Sequence, residues 1–166
     1  MQEHSLLVNL LRQNAAPWLA RWMPQRRYDR LDERGLDEFR RRLSELVTEA
    51  RGRSGRVILC TTPRSFGDPS ATGDQYSLAA TALANNPSLS FAGLNDAYDR
   101  YNDAVRRVAQ ETGATLVDLA ALIPKDGRCF VDATHLSDVG HRRIAELIAE
   151  RLLAEPPYGA LVGTTP

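Results

Sequence analysis

Asp132 and His135 are the two residues whose types and spacing could do chemistry. They stand three apart in C-F-V-D-A-T-H-L-S-D-V-G-H-R-R-I-A-E-L-I-A-E-R-L-L, residues 129–153. A carboxylate that near an imidazole can accept its Nδ1–H, fix the tautomer and stabilise the imidazolium. That is how a general base is held. A base needs a group to activate, and the candidates are few. Cys129 sits beside Phe130, where a packed, inert thiol is the simpler reading. Ser65 and Ser70 are the hydroxyls that a complete small enzyme could use. A metal site built from Asp132, His135 and His141 lacks the i, i+4 helical spacing of zinc hydrolases. A metal site is therefore not expected there.

These residues need elements to position them. Phe130 and Val131 form a short apolar approach to the loop. Ser137 or Asp138 can cap the helix that follows, with Val139, Ile144, Leu147, Ile148 and Leu152 as its apolar stripe. Upstream, Leu36, Phe39, Leu43, Leu46, Val47 and Ala50 mark the buried face of a helix over 36–51, stopped by Gly52. R-V-I-L-C-T-T (56–62) reads as a buried parallel strand, with Cys60 a small buried hydrophobe. Residues 63–92 are the least regular part, either a substrate-contacting loop or a surface insertion. A helix over 94–112 follows, with Tyr98, Tyr101, Val105, Val108 and Ala109 inward and Gly113 as its stop. A-T-L-V-D-L (114–119) is a second parallel strand. Asp118 at its end is expected to hold a turn or an outer contact to the site. The order of elements is that of an α/β fold with right-handed crossovers. Two strands are a poor core for so many helices, so the chain needs further strands or belongs to a larger sheet.

Composition sets the outer bounds. The 166 residues carry 21 basic and 21 acidic side chains, a formal net charge of zero. That balance argues against a nucleic-acid partner. Two cysteines make no disulfide framework. No run of eighteen apolar residues and no basic leader before an apolar core is visible, so a soluble chain is expected and its compartment is left open. Residues 5–23 are apolar and helix-like, with Leu6, Leu7, Leu10 and Leu11 in one patch and Trp18 and Trp22 in another. The favoured reading is a helix covering a sheet or lidding a site; contact with a membrane surface is the lesser reading, because Pro17 interrupts the segment.

D-A-T-H-L-S-D-V-G-H-R-R-I-A-E-L-I resembles the last sequence block of the SGNH (GDSL-like) hydrolases, an Asp-x-x-His followed by a polar cap, a Gly and the final helix. Y-D-R-Y-N-D-A-V-R-R-V-A-Q-E-T-G-A-T-L-V-D-L-A-A-L-I-P-K-D resembles the family's penultimate helix–strand unit. F-R-R-R-L-S-E-L-V-T-E-A-R-G-R-S-G-R-V-I-L-C-T-T-P resembles the unit before it. The resemblance spans about residues 36–153. It implies a three-layer, flavodoxin-like parallel-sheet fold lacking its N-terminal strands. It divides the chain into a lid or linker over 1–35, the hydrolase portion over 36–153 and a tail over 154–166.

The family's chemistry also uses a Ser in a Gly-Asp-Ser motif and an oxyanion hole that includes the Asn of Gly-x-Asn-Asp, both upstream of the helix matching 36–51. Neither is found there. F-G-D-P-S (66–70) interrupts the motif with Pro69 and follows a late strand. G-L-N-D (93–96) matches letter for letter but comes after the strand it should precede, and Asn95 or Asp96 as a helix cap explains it. The resemblance thus implies a serine hydrolase of small ester or acylated substrates, with His135 as base and Asp132 orienting it, and with no metal or organic cofactor. The chain is expected to be the C-terminal portion of such an enzyme and inactive alone. An unpaired sheet edge near 56–62 would then favour self-association. The competing class is a non-catalytic α/β interaction module in which Asp132–His135 is a structural bond.

Overall fold

The computed structural model describes residues 27–54, 56–67 and 75–154. The segments 5–23 and 154–166 and the Asp68–Ser70 part of F-G-D-P-S therefore lie wholly or almost wholly outside the described residues. Among the described residues, five helices and two strands follow in chain order: α1 (Glu33–Ser54), β1 (Ile58–Cys60), α2 (Gln75–Asn85), α3 (Phe91–Thr112), β2 (Thr115–Val117), α4 (Leu119–Leu122) and α5 (Asp138–Leu153). β1 and β2 pair in parallel, with Ile58 opposite Thr115 and Cys60 opposite Val117. The crossover between them carries α2 and α3, as a parallel pair requires.

α1 and α3 are the long helices and pack on each other. Phe39 meets Tyr101 edge to face, with ring centroids 4.8 Å apart. Val47 and Val108 are buried between the helices with Ala114. At the far end the Arg51 guanidinium donates to the carbonyls of Thr112 and Gly113. A cation at a helix C-terminus also opposes the helix dipole.

Apolar residues elsewhere form two further clusters. One gathers Phe66, Ala79, Ala82, Leu89, Leu94, Ala97 and Ala133. The other gathers Val117, Leu119, Ile123, Cys129, Phe130 and Leu147. Residues 130 and 133 thus belong to different cores, and the Asp132 loop straddles both. Burying Phe130 alone is worth roughly 2 kcal/mol.

The structure corrects several expectations. α3 begins at Phe91, and its cap is Ser90, whose hydroxyl accepts the Gly93 N–H at 3.0 Å; Asn95 and Asp96 lie inside the helix. The strands are only three residues each, and Cys60 is exposed. The β1–β2 pair is too narrow to cover both faces of the run 56–62. Leu46 and Val139 are exposed too, since no described element packs over their side of α1 or α5. No described helix is long and apolar enough to cross a membrane.

Candidate active site

The loop from Cys129 to Ser137 is closed by its own backbone. Phe130 and Leu136 form an antiparallel bridge. The Val131 N–H donates to the His135 carbonyl at 2.8 Å, and the Ser137 N–H to the Cys129 carbonyl at 3.0 Å. Inside this closure Asp132 turns back on the chain. Its Oδ1 accepts the N–H of Thr134 at 3.0 Å and of His135 at 2.8 Å. Its Oδ2 lies 2.7 Å from His135 Nδ1. This is the local self-bonding that aspartate does well in turns.

The proton positions follow from the partners. A carboxylate can only accept, so Nδ1 carries the hydrogen and the neutral ring keeps its lone pair on Nε2. Asp132 is held at about 2, below the usual 3.8, by the His135 backbone N–H first, then the Thr134 N–H and the His135 ring. It is thus charged at neutral pH and able to stabilise an imidazolium. The His135 side chain is 76% exposed. The pair has what a general base needs: fixed tautomer, fixed ring and open Nε2.

The loop is fastened from both sides. Ser65 is fully buried. Its N–H and its hydroxyl both face the Ala133 carbonyl, at 3.1 and 3.4 Å. On the other side Ser137 caps α5, accepting the Gly140 N–H at 3.2 Å while donating to the Arg128 carbonyl. Gly140 is required there, because a Cβ would lie 2.1 Å from the Cys129 carbonyl oxygen.

The other candidates fall outside this constellation. Cys129 is buried, and burial pushes its thiol up, away from reactivity. Ser65 directs its hydroxyl to the Ala133 backbone. His141 is exposed in the first turn of α5. Among the described residues, no side chain other than Asp132 bonds the His135 ring, and no group of three or more His, Cys, Asp or Glu side chains could share a metal ion. Gly93 and Leu94 of G-L-N-D have packing reasons, whereas Asn95 Oδ1 and Asp96 Oδ2 are buried without a hydrogen-bond partner. A Cβ on Gly93 would meet the Tyr28 carbonyl at 2.1 Å. Leu94 is core, the Asn95 amide donates to the Phe91 carbonyl at 3.0 Å, and Asp96 lies 3.5 Å from Arg100.

Asp118 holds a clamp rather than the site loop. The Arg106 guanidinium grips it with two bonds of 2.8 and 2.9 Å, and the Thr61 hydroxyl donates to it at 2.7 Å. Its carboxyl is pulled below the ordinary value, chiefly by Arg106. Thr61 also accepts the Ala120 N–H at 2.9 Å. Next to it, the buried Asn102 brackets Thr62, accepting its N–H at 2.8 Å and donating to its carbonyl at 3.0 Å. Arg64, buried, reaches Asp99 at 2.9 Å and lies near the rings of Phe66 and Tyr98. Sequence reasoning missed Thr61, Arg64, Asn102 and Arg106, since polar residues carry no periodic signal.

A family model described as the GDSL-like Lipase/Acylhydrolase family matches residues 22–143. No curated protein and no solved structure matches the chain.

Proposed function

The chain belongs to the GDSL-like lipase/acylhydrolase family, and on that premise we propose that it carries the base half of a serine ester-hydrolase site. The observation that carries this reading is the Asp132–His135 pair, joined at 2.7 Å with the imidazole exposed. In the complete reaction His135 Nε2 takes the proton of a serine hydroxyl as that oxygen attacks the ester carbonyl. The protonated ring then gives the proton to the departing alcohol. Water, deprotonated by the same nitrogen, releases the acid. Asp132 stays ionised throughout and stabilises the imidazolium. The serine and the oxyanion donors come from outside the described residues. The β1–β2 pair is read as the C-terminal part of a three-layer parallel sheet.

Two measurements test this. On a short-chain chromogenic ester the chain alone should hydrolyse no faster than its His135→Ala variant. Hydrolysis that His135→Ala abolishes would support the base and refute the missing nucleophile; hydrolysis that survives it would refute the base. Independently, the ¹⁵N shifts of the His135 ring at neutral pH should show the Nδ1–H tautomer, and Asp132→Asn should lose it. The bare neighbourhood of Nε2 among the described residues also suits a non-catalytic module. That reading gains if the tautomer is fixed but no serine partner restores hydrolysis.

A further inference from the structure

α1 and α3 run side by side in the same direction. Glu33 pairs with Arg100 toward their starts, and Arg51 reaches the Thr112 carbonyl at their ends. Between them lies a polar pocket of about 240 Å³. One stripe of each helix lines it, from Glu33 to Arg40 on α1 and from Arg100 to Arg107 on α3. Arg30, just before α1, completes a set of four arginines facing Glu33, Asp37 and Asp103. The pocket shares no residue with the Asp132–His135 pair.

Bonding divides the four arginines into two pairs. Arg30 and Arg100 are engaged, since both hold Glu33 and Arg100 also donates to the Leu31 carbonyl at 3.0 Å. Asp103 is engaged as well, by Arg106 at 2.7 Å. Arg40 and Arg107 are not. Arg40 approaches Asp37 only at 3.8 Å and Glu111 only at 3.7 Å, and its Nε is buried without a hydrogen-bond partner. A buried charged donor left unmade is costly. Both of those carboxylates are exposed and can turn to water. Arg107 makes no hydrogen bond or ion pair among the described residues. Arg40 and Arg107 each stand two helical turns beyond the paired Glu33 and Arg100, so the parallel helices bring them to the same end of the pocket. A guanidinium presents its donors as a planar fork that fits phosphate or carboxylate oxygens two at a time. The pocket is smaller than the roughly 300–1,000 Å³ that drug-sized ligands need, so two free forks there suit a compact dianion. We propose that this pocket binds a phosphate group, as the free ion or a small monoester, between Arg40 and Arg107.

Inorganic phosphate titrated into the full chain tests this, with ionic strength held constant by sodium chloride. Backbone amide shifts should move saturably over residues 36–40 and 103–107. Arg40→Gln and Arg107→Gln should each weaken the apparent affinity about tenfold, the effect of losing one charge-assisted hydrogen bond. Arg107 is exposed, so its variant decides the matter if Arg40→Gln fails to fold. Arg143→Gln, on α5 and outside the pocket, should leave binding unchanged. Raising the pH through the second ionisation of phosphate should tighten it. Glycerol 3-phosphate separates the two sources, because the tighter binder of the two names the form that the pocket takes. Shifts that grow without saturation, or that chloride alone reproduces, would overturn the proposal. Binding untouched by Arg107→Gln would overturn it too. So would succinate binding as tightly as phosphate, which would make the pocket a carboxylate site.

Discussion

Asp118 and Asp132 are both carboxylates with lowered proton affinity, yet they serve opposite purposes. Asp118 draws its partners from afar, Arg106 from α3 and Thr61 from the end of β1. Both of its oxygens are spent on joining elements. Asp132 draws its partners from the next three residues, and the one ring it grips keeps its other nitrogen open. The difference teaches where function sits in this fold. A carboxylate that ties distant elements is a clamp, and its removal loosens the molecule. A carboxylate that ties only its own turn presents a side chain, and its removal should change that side chain's chemistry.

The contrast can be broken in four places. The greatest damage should come from Gly140→Val, which forces a branched side chain onto the Cys129 carbonyl; a loss of about 3 kcal/mol is expected in a urea melt. Wild-type stability would mean that α5 does not press on the site loop. Asp118→Ala comes next, with a loss of about 1.5 kcal/mol by the same melt, while the His135 ¹⁵N shifts stay in place. If those shifts move, clamp and site are not separate. Ser137→Ala removes the cap of α5 and should cost about 1 kcal/mol.

Asp132→Asn should leave the melt almost unmoved and alter only the His135 tautomer. Acid gives the same answer without a mutation. The folded carboxyl sits at about 2 against 3.8 unfolded. Its hold on the loop is therefore complete above the unfolded value and is lost as pH falls through about 2. The ¹³C carboxyl shift of Asp132 should follow that course; a midpoint near 4 would mean the turn is not formed in solution.

How much of this was legible in the sequence depends on whether a feature is local. The Asp132–His135 pair and the Ser137 cap were readable, since each is a matter of three residues and known side-chain reach. The parallel pair and the two long helices were readable from apolar runs and stripes. The start of α3 was not, because Phe91 and Ala92 after Ser90 carry little of the stripe that marks the helix body. Exposure of Cys60, Leu46 and Val139 was not legible either. A stripe shows which residues share a face but not whether another element arrives to cover it. The bonds of Thr61, Asn102 and Ser65 span 40 to 68 positions, and no local pattern points to them.

The register of β1 and β2 also sets an order of events in folding. Thr61 and Asp118, at the ends of these strands, are 57 positions apart. Closing a flexible loop of that length costs about 3.5 kcal/mol of chain entropy before any strand contact repays it. The turn around Asp132 closes over three residues and meets almost no such barrier. The strand pair therefore belongs to the slow, rate-setting part of folding, whereas the Asp132–His135 turn can form late and quickly on a finished scaffold. Substitutions in the clamp should slow refolding, and those in the turn should leave its rate alone. The residues proposed to do chemistry are then the ones this chain can vary with least risk to its ability to fold.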